Sequence, residues 1–230
     1  MTVLRLLSYN VRSLRDDADA VARIIRDAQP QVVAIQEAPR LFRWRSKCAA
    51  LARRSGLVIV TGGRPAAANL LLCTLAVDVL SSANVLFSRD SRLHQRGTAL
   101  AVLGYRGARF ALAGIHLDLE QGPRLRHVGE LHRVLDLHVG DPDVPRIIAG
   151  DVNDLPGTAV WNALVGRGTD AWAAVGAGDG WTFSVGNPRK RIDAVFADPR
   201  VPVRSATVLD SPDVAIGSDH RPLLVELDLP

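Results

Sequence analysis

The hydrophobic residues of this chain come in short bursts separated by polar breaks. Runs at 3–9, 32–36, 57–60, 70–77, 98–105, 110–117, 146–149, 192–197, 203–209 and 223–227 have the length and the aliphatic make-up of strands. Several are apolar at both odd and even positions, as in Leu70-Leu71-Leu72 and Ile147-Ile148-Ala149. A strand with one wet face alternates, so these runs predict sheets covered on both sides. Four other stretches carry apolar residues at helical spacing. The segment 17–28 sets Ala20, Val21, Ile24 and Ile25 on one side and arginines on the other, and stops at Gln29-Pro30, where proline disfavours continuation. The segment 39–55 ends at Gly56, 123–138 repeats Leu125, Val128, Leu131, Val134 and Leu135, and 157–164 is a short fourth. Strands outnumber helices and do not alternate strictly with them. Two mixed sheets with helices outside therefore fit better than one doubly wound sheet.

No repeat, low-complexity tract or linker divides the chain, which is read as a single domain over 1–230. Hydrophobic residues at 47% and charged residues at 23% provide for a sizeable core in a chain of this length. No apolar run nears the length needed to cross a bilayer, which excludes a helical membrane span. The first strand leads at once into Ser8-Tyr9-Asn10, with no signal-peptide layout ahead of it. These features predict a cytoplasmic protein without stable membrane anchoring, with a monomer as the default. Cys48 falls in a predicted helix and Cys73 in an apolar strand, so both are expected as buried thiols rather than a disulfide framework. The net charge is +4, and all but two of the 28 basic residues are arginine. That excess suits phosphate-bearing partners without identifying one. Aromatic residues make up only 5%, and no stripe of aromatics and cations of the kind that stacks single strands is evident.

Chemistry enters at the strand borders. The first strand ends in Ser8-Tyr9-Asn10 and the second in Gln36-Glu37. Others end in Gly114-Ile115-His116 and Gly150-Asp151-Val152-Asn153-Asp154, Arg191-Ile192-Asp193 opens a later one, and Ser218-Asp219-His220 precedes the last. Each piece alone has an ordinary account. Asn10 suits a turn, Glu37 a solvated carboxylate, His116 a hydrogen-bonded structural histidine, and the 150–154 segment a turn. Asp193 has Arg191 and Lys190 as near neighbours to pair with, and Asp219-His220 suits a loop cap. Together they point elsewhere. Glu37 and Asp219 are the oxygen donors a hard cation takes, magnesium first and manganese as the alternative. Asn10, Asn153 and His116 are donors for phosphoryl oxygens, and Asp193 with His220 makes an oriented acid–base pair near neutral pH. Arg12, Arg96, Arg189, Lys190 and Arg191 are cations near these motifs, able to track a phosphate backbone or to clamp one phosphate.

This ordered set, extended by Arg221-Pro222, resembles the endonuclease/exonuclease/phosphatase superfamily, the DNase I-like fold, from Leu4 to Leu227. Asp170-Ala171-Trp172 and Trp181-Thr182-Phe183 agree with it. The resemblance implies a four-layer α/β sandwich, with two β-sheets packed face to face and helices outside. It also implies roles. Glu37 would be the principal magnesium ligand with Asn10 beside it, and Asp219 would hold or orient a metal-bound water. Asp193 would orient His220, Asp151 would activate water or assist the leaving group, and Asn153 and His116 would bind the phosphoryl oxygens. The substrate is a phosphate ester, with nucleic acid and small-molecule or lipid-headgroup esters both within the family's range. Two departures weaken a repair-nuclease reading: Arg12 stands where abasic-site endonucleases carry an acidic or amide residue, and Ala38-Pro39-Arg40 follows Glu37 in place of their Thr-Lys. A binding module that kept the fold without the reaction would be expected to lack counterparts of Glu37, Asp151 or His220, and all are present.

Overall fold

The computed structural model describes residues 2–230. Sheet 1 has the strand order β11-β12-β1-β2-β4-β3, with β1 Thr2–Asn10, β2 Val32–Gln36, β3 Val58–Gly63, β4 Asn69–Cys73, β11 Val203–Val208 and β12 Leu223–Leu229. Sheet 2 has the order β5-β6-β7-β8-β10-β9, with β5 Val77–Leu86, β6 Gly97–Tyr105, β7 Ala108–His116, β8 Arg146–Asp151, β9 Thr169–Asp170 and β10 Asp193–Ala197. Among the described residues six α-helices complete the fold: α1 Ala18–Ala28, α2 Trp44–Arg54, α3 Gln121–Val139, α4 Ala159–Val165, α5 Ala171–Val175 and α6 Pro212–Gly217.

The two-sided apolar strands explain the layering. In β1, Leu4 and Leu6 face the other sheet, while Leu7 and Tyr9 face the helices. The inter-sheet core joins Leu4, Leu6, Val32 and Leu71 of sheet 1 to Leu103, Leu112, Ile147 and Val195 of sheet 2. On the outer face of sheet 1, Val21, Ile24 and Ile25 of α1 and Leu51 of α2 pack on Val33, Ile35 and Leu72. On that of sheet 2, Val128, Leu131 and Leu135 of α3 and Trp161 of α4 pack on Leu100, Ala113 and Ile148. Helix, sheet, sheet and helix form four layers, as the two-sheet reading and the resemblance required.

The sheets repeat one plan. Each contains a single parallel pair, β1–β2 or β7–β8, joined through a helix, α1 or α3, and flanked on both sides by antiparallel strands. In register, Asn10 lies beside Gln36 at the carboxyl end of one pair, and His116 lies beside Asp151 at the end of the other. Carboxyl ends of parallel strands are where open α/β sheets leave a crevice.

The structure differs from the sequence reading in a few places. The run 70–77 is two strands in different sheets: β4 ends at Cys73, the chain turns through Thr74-Leu75-Ala76 with Leu75 88% exposed, and β5 starts sheet 2. The helix expected over 39–55 starts only at Trp44, because Arg43 has a left-handed φ of 55° that ends any helix before it. Strands β5 and β9 and helices α5 and α6 were not expected, although Ser211-Pro212 is a good start signal for α6, with Ser211 Oγ accepting from the Val214 N–H. Cys48 and Cys73 are free and buried, as expected, and burial pushes the Cys48 thiol up to about 11. No helix among the described residues is long and apolar enough to cross a membrane.

Asp198, just past β10, ties that strand to the start of β8. It accepts from the Arg146 N–H and from the backbone and guanidinium of Arg200. Those hydrogen bonds, the Arg200 side chain foremost, hold its carboxyl at about 2, below the ordinary 3.8. A depressed carboxyl stabilises the fold above its unfolded pKa and loses that contribution as pH falls through the folded one. Asp198→Asn should therefore cost about 1 kcal/mol at neutral pH, after allowance for solvent screening, and nothing near pH ~2. Urea unfolding at several pH values checks this; a cost that did not change with pH would refute it.

Candidate active site

The site lies where the carboxyl ends of the two parallel pairs meet. Asp151, 1% exposed at the end of β8, stands at its centre. Its Oδ1 accepts from the Asn153 backbone N–H at 2.9 Å, and its Oδ2 accepts from Asn10 Nδ2, at the end of β1, at 3.0 Å. Two imidazoles look at the same Oδ2: His116 Nε2 at 3.5 Å and His220 Nε2 at 3.8 Å. Asp193, across the β8–β10 ladder from Asp151, accepts from His220 Nδ1 at 2.8 Å. That bond leaves Nε2 of His220 facing the centre.

Local backbone geometry places these groups. Gly150 has φ 152°, and a Cβ there would lie 2.0 Å from the Ile115 carbonyl oxygen. Only glycine lets β8 run this close to β7 one residue before Asp151. Glu37 and Asn153, just past the ends of β2 and β8, hold left-handed φ values of 51° and 53°, uncommon for such residues. Asn10 fixes its own amide, because Oδ1 accepts from the Arg12 N–H and Nδ2 is thereby turned to Glu37 Oε1 at 3.3 Å as well as to Asp151. Asn10 was expected beside the metal; in this arrangement it offers a donor, not an oxygen. Ser218 Oγ donates to the Asn10 carbonyl, seating the final motif against β1.

The two histidines differ in charge. Burial draws the His116 pKa down to about 3, against the pull of Asp151 and with the help of the Arg96 charge, so this ring is neutral. Burial also opposes a charged His220, but Asp193, followed by Asp151 and Asp219, outweighs it and lifts the ring to about 10. His220 is an imidazolium in the metal-free protein.

Glu37, Asp151, Asn153, Asp219, His116, His220 and Arg96 line one cleft of 790 Å³. Arg96 is buried beside Asp118, 3.6 Å away, and burial lowers its pKa despite that carboxylate. Arg12 stands at the rim, with its Nε 3.4 Å from Asp219. Lys190 reaches the cleft, whereas Arg189 is exposed and bonded to Asn187. Arg191, expected to bind substrate, is not brought to the cleft. It donates to both oxygens of Asp170 at 2.9 Å and lies over the Trp161 ring, 4.7 Å from its centroid, which makes it a strut between β10 and α4. Asn153, expected to bind phosphoryl oxygens, also spends Nδ2 on the Leu117 carbonyl.

Sequence reasoning missed several supports. Phe183 packs on His220 with ring centroids 4.8 Å apart, and Thr182 Oγ1 accepts from the Ile192 and Asp193 N–H groups, holding the start of β10. Arg124 of α3 donates to the Leu119 and Asn153 carbonyls and pairs with Asp154, clamping the loops after β7 and β8. The tripeptide around Thr182 was a visible signal. Nothing in the spacing of Arg124 marks it.

The donor set suits a hard divalent cation. Glu37, Asp151 and Asp219 present carboxylates to one cleft, and Asp193 keeps a buried Oδ1 with no hydrogen-bond partner. Ligand atoms of Asp151, Asp193 and His220 also lie within 4.8 Å of one another. A metal on that trio would have to break the His220–Asp193 bond, which already accounts for their closeness.

The model of the Endonuclease/Exonuclease/phosphatase family matches residues 7–220, which include every cleft residue named above. Among solved structures, an endonuclease/exonuclease/phosphatase family protein from Bacteroides thetaiotaomicron superposes with a TM-score of 0.85 at 18% identity, covering 100% of this chain and 99% of that one. A mannosyl-6-phosphatase from the same organism gives 0.83 at 18% identity, over 98% and 100%. D. rerio TDP2 complexed with a single-strand DNA product gives 0.76 at 19% identity, over 99% and 100%. No curated protein matches the chain.

The β7–β8 contact generates a test. Gly150→Ala must push the strands apart or strain the backbone, and should cost about 2–4 kcal/mol in urea unfolding. A loss under about 0.5 kcal/mol would show that the close approach does not set the position of Asp151.

Proposed function

This chain belongs to the endonuclease/exonuclease/phosphatase family, and we propose that it hydrolyses phosphate esters with the aid of a divalent metal ion. The observation that carries this reading is the convergence on one cleft of carboxylates from both sheets, Glu37, Asp151 and Asp219, with the His220–Asp193 pair. Glu37 and Asp219 would hold the ion, magnesium first and manganese as the alternative, and when bound it would neutralise charge on the phosphoryl oxygens. Everything else is work for the protein's own side chains.

Phosphoryl transfer to water needs an in-line nucleophile, a place for its proton and compensation of negative charge. Asp151 Oδ2 and His220 Nε2 lie 3.8 Å apart, close enough for one water oxygen set to the side of the line joining them to reach both. The proton lost by the attacking water passes to Asp151, while Asp193 stabilises the His220 imidazolium and holds its ring in place. Asn10 Nδ2 holds Asp151 in position. Arg96, buried with its guanidinium in the cleft and its Nε without a hydrogen-bond partner, supplies donors to the phosphoryl oxygens. Neutral His116 is a donor or an acceptor as the ester requires, since burial keeps it uncharged. This centre addresses the phosphate itself and serves diesters and monoesters alike.

Two measurements test the reading. Magnesium should raise the unfolding temperature of the wild-type protein by several degrees at saturating ion, and Glu37→Gln should abolish that shift together with hydrolysis of bis-p-nitrophenyl phosphate. Asp151→Asn, His220→Ala and Asp193→Asn should each lower kcat by about 10² or more with the fold intact. Full activity in Glu37→Gln would overturn the metal assignment. A wild-type protein inert with magnesium and manganese on diester and monoester alike would overturn the function.

A further inference from the structure

A second groove, of 560 Å³, opens directly off the cleft, and Arg40, Leu41 and Ala67 line both. It lies between the segment leading into α2 and the turn after β3, and no role in the chemistry above uses it. Three observations bear on it, and they go against the expectation that the chain has no stripe of aromatics and cations, since Arg40-Leu41-Phe42-Arg43-Trp44-Arg45 is such a run. Its cations are free: among the described residues, Arg40, Arg43 and Arg64 of the groove and Lys47 at its junction with the cleft take part in no ion pair, whereas half of the chain's basic residues do. Its apolar residues are exposed: Leu41 at 78% and Phe42 at 82% stand side by side where water would ordinarily exclude them. Its other aromatic is already committed, because the Trp44 ring packs against Gly63 and under the Arg45 guanidinium, 4.3 Å from its centroid.

We propose that this groove holds the part of the substrate beyond the reacting phosphate, and that this part is a single-stranded nucleic acid, its phosphates on Arg40, Arg43 and Arg64 and a base against Phe42. The inference rests on the phosphoesterase reading and extends it to a substrate class. The chemistry is complementary. A polyanion with one charge per repeat needs a row of cations leading away from the catalytic phosphate, and an exposed aromatic ring accepts any base face without reading sequence. A sugar phosphate or other small monoester is used up within the cleft and has nothing to set on Phe42. An anionic bilayer also likes arginines beside Phe and Leu, but it covers a protruding surface, and these residues line a concavity that runs into the active site.

The test uses three substitutions at exposed positions, Arg43→Gln, Arg64→Gln and Phe42→Ser, each checked for an unchanged unfolding temperature. With a single-stranded oligonucleotide of ~8 nucleotides, each should raise KM by about tenfold and leave kcat within about twofold. Each arginine variant should also flatten the salt dependence of log KM by about 0.7. Hydrolysis of bis-p-nitrophenyl phosphate, too small to reach the groove, should not change. If the variants cleave the oligonucleotide as the wild type does, the groove is not a strand subsite, while the phosphoesterase reading stands. If the wild type hydrolyses neither compound, that reading fails, and anisotropy of the labelled strand in chelator still decides the groove: loss of binding in the variants supports it, and equal binding sinks it. Binding to phosphatidylserine vesicles lost in the variants, with no effect on the strand, would overturn the proposal in favour of a membrane surface.

Discussion

A carboxylate shut away from water must be met by donors, and Asp151 sets that demand for the whole site. Its two oxygens draw in a backbone N–H from the turn after β8 and an amide from the end of β1 in the other sheet. The second of these bonds crosses between the sheets, so the sandwich has to close with its strands in one particular register. Gly150 must lack a side chain for Asp151 to reach that position, and Asn10 must have its oxygen occupied by Arg12 for its amide to point the right way. The charge state of His220 follows from the same crowding, since Asp193, Asp151 and Asp219 together overcome the burial that would otherwise leave the ring neutral. The neutral His116, beside the same Asp151 but also beside Arg96, shows how finely the balance depends on the next charge.

Most of the framework was legible in the sequence because burial on two faces leaves a strong mark. Strands such as β2 and β4 are apolar at nearly every position, and β8 carries an apolar run at its centre. The edge strand β5 was not legible: its residues are mostly exposed, and its Ser81-Ser82-Ala83-Asn84 reads as loop. The crossing from β4 to β5 was hidden by an unbroken apolar run that includes the exposed Leu75. The candidate site was visible as motifs at strand ends because strand ends are where the fold positions side chains with little freedom. What spacing did not reveal was allegiance. Arg191 and Arg96 were both singled out as cations for phosphate, but Arg191 turns to Asp170 while Arg96 is buried at the cleft.

The internal repetition of the two sheets gives the cleft its division of labour. Equivalent positions at the ends of the two parallel pairs carry Asn10 and His116, or Gln36 and Asp151, with Glu37 one residue past the end of β2. Sheet 1 thus contributes the carboxylate at the more open side, and sheet 2 the one at the buried side. The strands that enter antiparallel beside them bring Asp193 with β10, and Asp219 and His220 with β12. A shared plan with different side chains yields a site in which no two carboxylates have the same surroundings.

The order of strands in sheet 1 has a consequence for synthesis. Sheet 2 draws on one continuous stretch, from β5 to β10, and all its partners have been made before β11 begins. Sheet 1 is left open at β1 until β12 arrives, more than two hundred residues later, to pair Ser8 with Leu223. Until then Asn10 lacks the seat supplied by Ser218, and Asp219 and His220 do not yet exist. A chain emerging from a ribosome therefore carries an unfinished centre until its last strand is released. Closing the sandwich and assembling the site are the same event.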